Sequence, residues 1–338
     1  MSGYTVNVAL EIQSGVPYSA EIAEEIKGLI EIAAQGFDLS RLERVILAVD
    51  YEAALNGLDY GYQRSREAKP TREDYAQGVA MAQMVMREGE PWTILVIDAR
   101  IALGLLDEDE ESRSMVTGLI IHELAHVHDQ RKKSIALPNI WLKPHLDLLH
   151  AVLFEGADSA WSEYFACRMT ATVDPHQLTA QLETLENALE RVQQTLRAEI
   201  IDYRTSADLE RVWSIGQQQV TWLIQVAGYA LGTLDGLKVN LADEAPELAE
   251  KLERGYFLRP WHDLQTALRQ MWDVYPEWPE GLDTYKPAMD AVEQSFHSLG
   301  FRPSLKNEGL YIDIPYTSDT LPPNDPFAVL FRGEANDA

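Results

Sequence analysis

Residues 114–133 read SMVTGLIIHELAHVHDQRKK, with His122 and His126 four positions apart and Glu123 directly after the first histidine. The flanks Leu119, Ile120, Ile121, Leu124, Ala125 and Val127 are all uncharged, the pattern of a helix buried against a core. On an α-helix, positions i and i+4 lie about 40° apart around the axis and one turn above each other. Both imidazoles can therefore point at one place. Glu123 falls about 100° round from His122, at the edge of the same face. A carboxylate and two imidazoles in an otherwise apolar helix are costly to bury without partners. Either they are hydrogen-bonded residues of an amphipathic surface helix, or something binds between them.

Upstream of this helix, strand-like and helix-like segments alternate. YTVNVALEI (4–12), RVILAVD (44–50) and WTILVID (92–98) read as strands, rich in β-branched and aromatic residues. SAEIAEEIKGLIEIAAQ (19–35) carries Ile22, Ile26, Leu29, Ile30 and Ala33 at helical spacing, with acids early as a helix start prefers. TREDYAQGVAMAQMVMREG (71–89) reads as a helix ending at a glycine, with Met81, Met84 and Val85 on one side. An acidic loop, DEDEESRS (107–114), leads into the motif helix. The basic run Arg131-Lys132-Lys133 reads as cations at that helix's C-terminus.

Downstream of residue 140 helices dominate. Asp174-Pro175 reads as an N-cap followed by proline at the first helical position. From there Leu178, Leu182, Leu185, Leu189, Val192 and Leu196 step by alternating fours and threes, as a helical hairpin requires. The partner is the segment 208–237, where Gly228, Gly232 and Gly236 admit a close neighbour. These stripes are read as ordinary core. The chain thus divides into an α/β half (1–140) with the motif helix, a helical half (141–300) and an extended tail (301–338) that lies over the surface. The expected fold class is α+β, a small mixed sheet with its helix followed by a largely α-helical half.

Composition narrows the function classes. With 46% hydrophobic and 24% charged residues, the chain reads as a soluble globular protein. A net charge of −26 argues against a nucleic-acid backbone as the partner, and nothing suggests a membrane surface. The N-terminal MSGYTVNVALEIQSG shows no secretory signal. Cys167 is the single cysteine, so an internal disulfide is impossible and a cytoplasmic location is expected. Oligomeric state is not readable.

Two neutral nitrogen ligands suit Zn²⁺, and a carboxylate beside the metal's water can act as general base, which is the chemistry of the HExxH pattern. A catalytic zinc needs a third protein ligand and an open position. His128 points to another helix face, and the position six after His126 is Lys132, so carboxylates are the better source. The helical segment FEGADSAWSEYFACRMTA (154–171) offers Glu163 at its middle, with Ala160, Ala166 and Ala171 leaving room for close packing. It also offers Glu155 and Asp158 nearer its start, where acids serve as dipole partners.

His122-Glu123-Leu124-Ala125-His126 followed by Glu163-Tyr164-Phe165-Ala166-Cys167-Arg168 resembles the gluzincin branch of the zinc metallopeptidases, over residues 92–171. The resemblance implies a zincin-like core, with His122, His126 and Glu163 as zinc ligands and Glu123 as the base. It places WTILVID where zincins carry their substrate-binding edge strand. The chain departs from the pattern at Cys167, where gluzincins commonly have an aspartate that orients a zinc histidine, so that role must pass elsewhere. Read by itself, the cysteine is a small buried hydrophobe. The spacer from His126 to Glu163 is long, and its ALPNIWLKPH (136–145) could border the cleft. The expected function is hydrolysis of a peptide or protein substrate by a zinc-bound water activated by Glu123. Arg168, Tyr229 and His262 are candidates for stabilising the oxyanion. The alternatives are a regulatory or binding protein on a zincin scaffold, for which an intact Glu123 would be superfluous, and a zinc hydrolase of non-peptide amides.

Overall fold

The computed structural model describes residues 8–63, 72–73, 76–138, 146–279, 281–307 and 309–321. It is a mixed α+β protein with a four-stranded sheet in its first half and long helices in its second. Strands β1 (Ala9–Ile12), β2 (Leu42–Ala48), β5 (Ala80–Arg87) and β6 (Glu90–Asp98) lie in the order β1-β2-β6-β5. The first three of that order are parallel, and β5 is antiparallel to β6. Two short strands, β3 (Arg72–Glu73) and β4 (Ala76–Gln77), pair apart from it.

The near-continuous apolar runs of β2 and β6 follow from burial on both faces. Val45, Leu47, Leu95 and Ile97 point into the main core, towards α1 (Ser19–Ala33) and the motif helix α4 (Glu110–Ala136). Ile46, Ala48, Ile94 and Val96 point the other way, onto Tyr51 and Leu55 of α2 (Tyr51–Asn56) and onto Tyr60. A short helix α3 (Ala99–Ala102) follows β6, and Asp109 caps α4 by accepting from Ser112 N–H at 3.0 Å. The acidic segment thus ends at the cap, and Glu110 is already helical.

The segment 71–89 is not the helix its methionine spacing suggests. From Ala80 onward it is β5, joined to β6 by the two-residue turn Glu88-Gly89, in which both residues have positive φ (53° and 83°). Such a turn matches the twist of an antiparallel pair. The consequence is that β6 is an inner strand, and β5 is the edge that faces α4.

In the second half, α5 (Leu148–Thr170), α6 (Gln177–Ser206), α7 (Leu209–Leu237), α8 (Leu241–Glu244), α9 (Pro246–Glu253), α10 (Leu258–Asp273) and α11 (Lys286–Ser298) pack into a helical body. The stripe Leu178, Leu182, Leu185, Leu189, Val192, Leu196 is buried, and α6 and α7 form the expected hairpin. Helix α6 begins at Gln177, two residues after Pro175, and Asp174 provides no side-chain cap. Helix α5 begins six residues earlier than its sequence pattern indicates, capped by Asp147. Glu155 and Asp158 therefore lie in its interior, not in its first turn. The tail folds back as a hairpin of β7 (Arg302–Lys306) and β8 (Gly309–Asp313), anchored by the fully buried Phe301. Residues 139–145 and 322–338, on which parts of the spacer and tail readings fall, lie outside the described residues. Buried residues from Val16 to Ile314 form one continuous core cluster. No described helix is long and apolar enough to cross a membrane.

The largest helix–helix interface joins α5 to α7. Its face on α7 is Gly228, Gly232 and Gly236. A Cβ at these positions would come within 2.6 Å of Ala160 O, 2.4 Å of Tyr164 O and 2.6 Å of Ala171 Cβ. The two backbones touch, so nothing flexible can give way. Gly232→Ala is expected to destabilise the protein by about 3 kcal/mol through overpacking. Gly28→Ala on α1, where nothing lies within 4 Å, is expected to stabilise it by about 0.5–1 kcal/mol. Urea midpoints for the two variants check the pair, and equal effects would mean that the helices are not in backbone contact.

Candidate metal centre

Helix α4 presents one polar row to α5: His122, His126, Asp129 and Lys133, spaced by four, three and four. The lower half of this row is an ion-paired cluster. Lys133 Nζ lies 3.0 Å from Asp129 Oδ2 and 2.8 Å from Asp158 Oδ1 of α5, while Trp161 Nε1 donates to Asp129 and Tyr285 OH to Asp158. Lys133 is 1% exposed, so it is a buried ion-pair partner and not a solvated cation on the helix end. This triad ties the two helices together one turn below the histidines.

The upper half carries a carboxylate and no Lys or Arg. Glu163 of α5 brings Oε2 to 3.2 Å from His122 Nε2 and 3.4 Å from His126 Nε2, and the two Nε2 atoms are 3.0 Å apart. That Oε2 is buried without a hydrogen-bond donor. Three ligand atoms bound at about 2.0–2.1 Å to one tetrahedral ion stand about 3.3 Å from each other. The triangle observed fits a metal ion, with a fourth direction left to a small ligand. Its electrostatics point the same way. Burial raises the pKa of Glu163, but the imidazoles of His126 and His122 outweigh it and hold it well below the ordinary carboxylate range. Burial lowers the pKa of His122, but Cys167 and Glu163 more than offset it and take it well above the ordinary histidine value. The site favours added positive charge.

The outer nitrogens of both histidines are engaged from α5. His126 Nδ1 is 3.0 Å from Ser162 Oγ, and His122 Nδ1 is 3.8 Å from Cys167 Sγ. Partners of this kind fix ring orientation and leave Nε2 free to ligate. Cys167 is fully buried, as a small hydrophobe would be, yet its sulfur occupies the orienting position and also accepts from Gln181 Nε2 at 3.4 Å. Glu163 Oε1 accepts from Gln225 Nε2 of α7 at 2.8 Å. Neither Ser162 nor Gln225 stands out in the sequence, since each is an ordinary polar residue whose role exists only across a helix contact.

Glu123 stands beside the triangle and is 8% exposed. Its Oε2 accepts the N–H of Ala82, on the outer edge of β5, at 2.7 Å. No donor among the described residues reaches its Oε1. The nearby ligand atoms of His122, Glu123 and His126 lie within 4.8 Å of one another. Of the three residues considered for oxyanion stabilisation, only Tyr229 is at the site. Its ring stacks on His122 with centroids 6.2 Å apart, and burial followed by the charge of Glu163 holds its phenol protonated. Arg168 is turned away onto Trp272 and Asp235, and His262 is exposed on α10.

His128 faces the other side of α4, as its spacing predicts. Its Nδ1 accepts the N–H of Asp38 at 2.7 Å and its ring stacks on Phe165. Burial, helped by the charge of Lys132, pushes its pKa down to about 4. The unfolded chain takes this proton near pH 6.5. The contribution to stability is thus whole above about pH 6.5 and is lost as the pH falls towards 4, by about 2–3 kcal/mol. The urea midpoint of His128→Gln should fall less steeply over that interval than the wild-type midpoint. Parallel curves would assign the acid sensitivity elsewhere.

Comparison of the chain with family models, curated proteins and solved structures found no match.

Proposed function

We propose that the chain is a zinc-dependent metallopeptidase of the gluzincin type, with His122, His126 and Glu163 as ligands and Glu123 as general base. The observation that carries this reading is the triangle of two Nε2 atoms and one donor-less carboxylate oxygen, with a second carboxylate held just outside it. A small mixed sheet backed by the motif helix is the arrangement a zincin-like core would require. In that core the edge strand is β5 and not β6.

Bound at the triangle, zinc would supply Lewis acidity, polarising a carbonyl and making a water acidic at neutral pH. Glu123 Oε1 takes the water's proton and returns it to the leaving amine. The bond from Ala82 N–H fixes Oε2 and so aims Oε1. Tyr60 O accepts Met86 N–H, Tyr62 OH donates to Met84 O and Glu123 accepts Ala82 N–H, so an extended substrate chain would add as a strand only at the Ala80 end of the β5 edge. Tyr229 OH accepts from Gln225 Nε2 at 3.3 Å and its proton faces the Glu163 carboxylate, from which it would have to turn to reach the oxygen that becomes negative.

The test is metal analysis of the purified protein together with cleavage of a broad peptide library, before and after chelation. The expected result is close to one zinc per chain and cleavage that chelation abolishes and zinc restores. Full zinc without cleavage of any peptide would favour a non-peptide amide substrate or a binding role. Absence of metal would remove the reading altogether.

A further inference from the structure

Beside His122 and Glu123 opens a pocket of about 420 Å³ between α4, α6, α7 and the start of β5. Its walls are largely apolar: Met115, Leu119, Trp222 and Val226. At one end it turns polar. Asp174 is 7% exposed, caps no helix, and has no hydrogen-bond or ionic partner among the described residues. Beside it on α6, Gln181 donates Nε2 to Gln177 Oε1 at 3.1 Å, which leaves Gln181 Oε1 and Gln177 Nε2 buried without partners. Buried polar groups are normally paired, and a carboxylate most of all. A cluster of this kind on a pocket wall points to a ligand that completes it.

The chemistry of that ligand follows from the lining. The charge of Asp174, with Gln181 Oε1 beside it, calls for a ligand end that donates and carries positive charge, and Gln177 Nε2 is the one unpaired donor of the cluster. Its shaft must be apolar. A lysine or arginine side chain has that form, an aliphatic stem with a cationic head. Position agrees as well. Asp174 packs on Gly118, where a Cβ would come within 2.8 Å of Asp174 Cβ. Gly118 lies one turn before His122 on α4, about 6 Å along the axis. That is roughly the reach of a lysine side chain from a backbone seated at the triangle, and too far for the α-amine of the residue being cleaved. The exposed acids 107–111, next to a cavity that shares Met115 and Val116, and the net charge of −26 would draw basic peptides towards this side.

We propose that this pocket is the subsite for a lysine or arginine side chain next to the scissile bond, with Asp174 as the residue that recognises its charge. The assignment rests on the peptidase reading above, and the experiment separates the two. Binding is measured by calorimetry on the Glu123→Gln protein, which prevents turnover. The ligands are two end-blocked peptides that differ only in lysine against norleucine, taken from the sequence best cleaved in the library or, failing cleavage, from a lysine-centred set. The lysine peptide is expected to bind at least tenfold more tightly, and Asp174→Asn, an isosteric change, should close that gap. Equal binding of the two peptides, or binding of neither, overturns the proposal without needing the variant. A gap that survives Asp174→Asn overturns the role of Asp174. Tighter binding of the norleucine peptide when its N-terminus is left unblocked, with no preference for lysine, would assign the carboxylate to an α-amine and also overturn it. A lysine preference in binding with no peptide cleaved supports the subsite and removes the peptidase reading. Cleavage with no basic preference does the reverse.

Discussion

On the proposed reading, Glu123→Gln should lower peptide hydrolysis by about a hundred- to ten-thousandfold and leave bound zinc unchanged. General-base catalysis contributes about 10²–10⁴ in rate, and the amide removes the base without removing volume. Its oxygen can still accept the Ala82 N–H that Glu123 Oε2 accepts at 2.7 Å, so the edge strand and the motif helix stay in place. Only the proton acceptor is lost. Turnover of the best library peptide and zinc content, measured on the same preparation, check both halves of the expectation. Activity within tenfold of wild type would end the general-base role. Loss of zinc would make Glu123 a ligand.

The second large effect concerns the carboxylate on α5. Glu163→Ala should weaken metal binding by about two orders of magnitude or more, because it removes one of the three ligands proposed above. Glu155→Ala should leave it unchanged, because that side chain is exposed and lies two turns, about 12 Å, before Glu163 along the helix. Asp158 distinguishes ligation from architecture. It pairs with Lys133 and Tyr285, but Lys133 keeps Asp129 at 3.0 Å, so Asp158→Ala should lower stability by about 1–3 kcal/mol, the cost of two lost buried hydrogen bonds. Competition with a chromogenic chelator reads the affinities, and urea unfolding reads the stabilities. Metal affinity lost at Glu155 and kept at Glu163 would dissolve the triangle as a binding site.

The chain makes part of this legible and hides part of it, for physical reasons. His122 and His126 share a helix, so their convergence is a property of spacing alone. The Leu178–Leu196 stripe and the three glycines of 228–236 are likewise periodic, and both appear in the packing as their periods require. AMAQMVMR (80–87) misleads because methionine suits either element, and Met81, Met84 and Val85 satisfy a helical period, whereas in the strand Met81 and Val85 share one face and Met84 lies on the other. The decisive signal was Glu88-Gly89, a two-residue link to an unmistakable strand. The start of α5 was obscured because its first turns are as apolar as its middle, leaving only the Asp147 cap to mark it. Ser162, Gln225 and the orienting sulfur of Cys167 depend on which helices meet. Nothing local encodes that.

The glycine contact between α5 and α7 also sets the registry of the site. A helix that touches its neighbour through glycines every fourth residue behaves as a rack with one tooth per turn. Sliding α7 by a single position would drive the side chain of Tyr229, Thr233 or Leu237 into the backbone that Gly228, Gly232 and Gly236 now meet. Intermediate positions are sterically closed, and the next one compatible lies a full turn away, about 6 Å. Gln225 and Tyr229 ride on this rack, one bonded to Glu163 and the other stacked on His122. Small thermal drift of α7 is therefore not passed on to the triangle of His122, His126 and Glu163. The helix can leave its notch altogether, but it cannot creep.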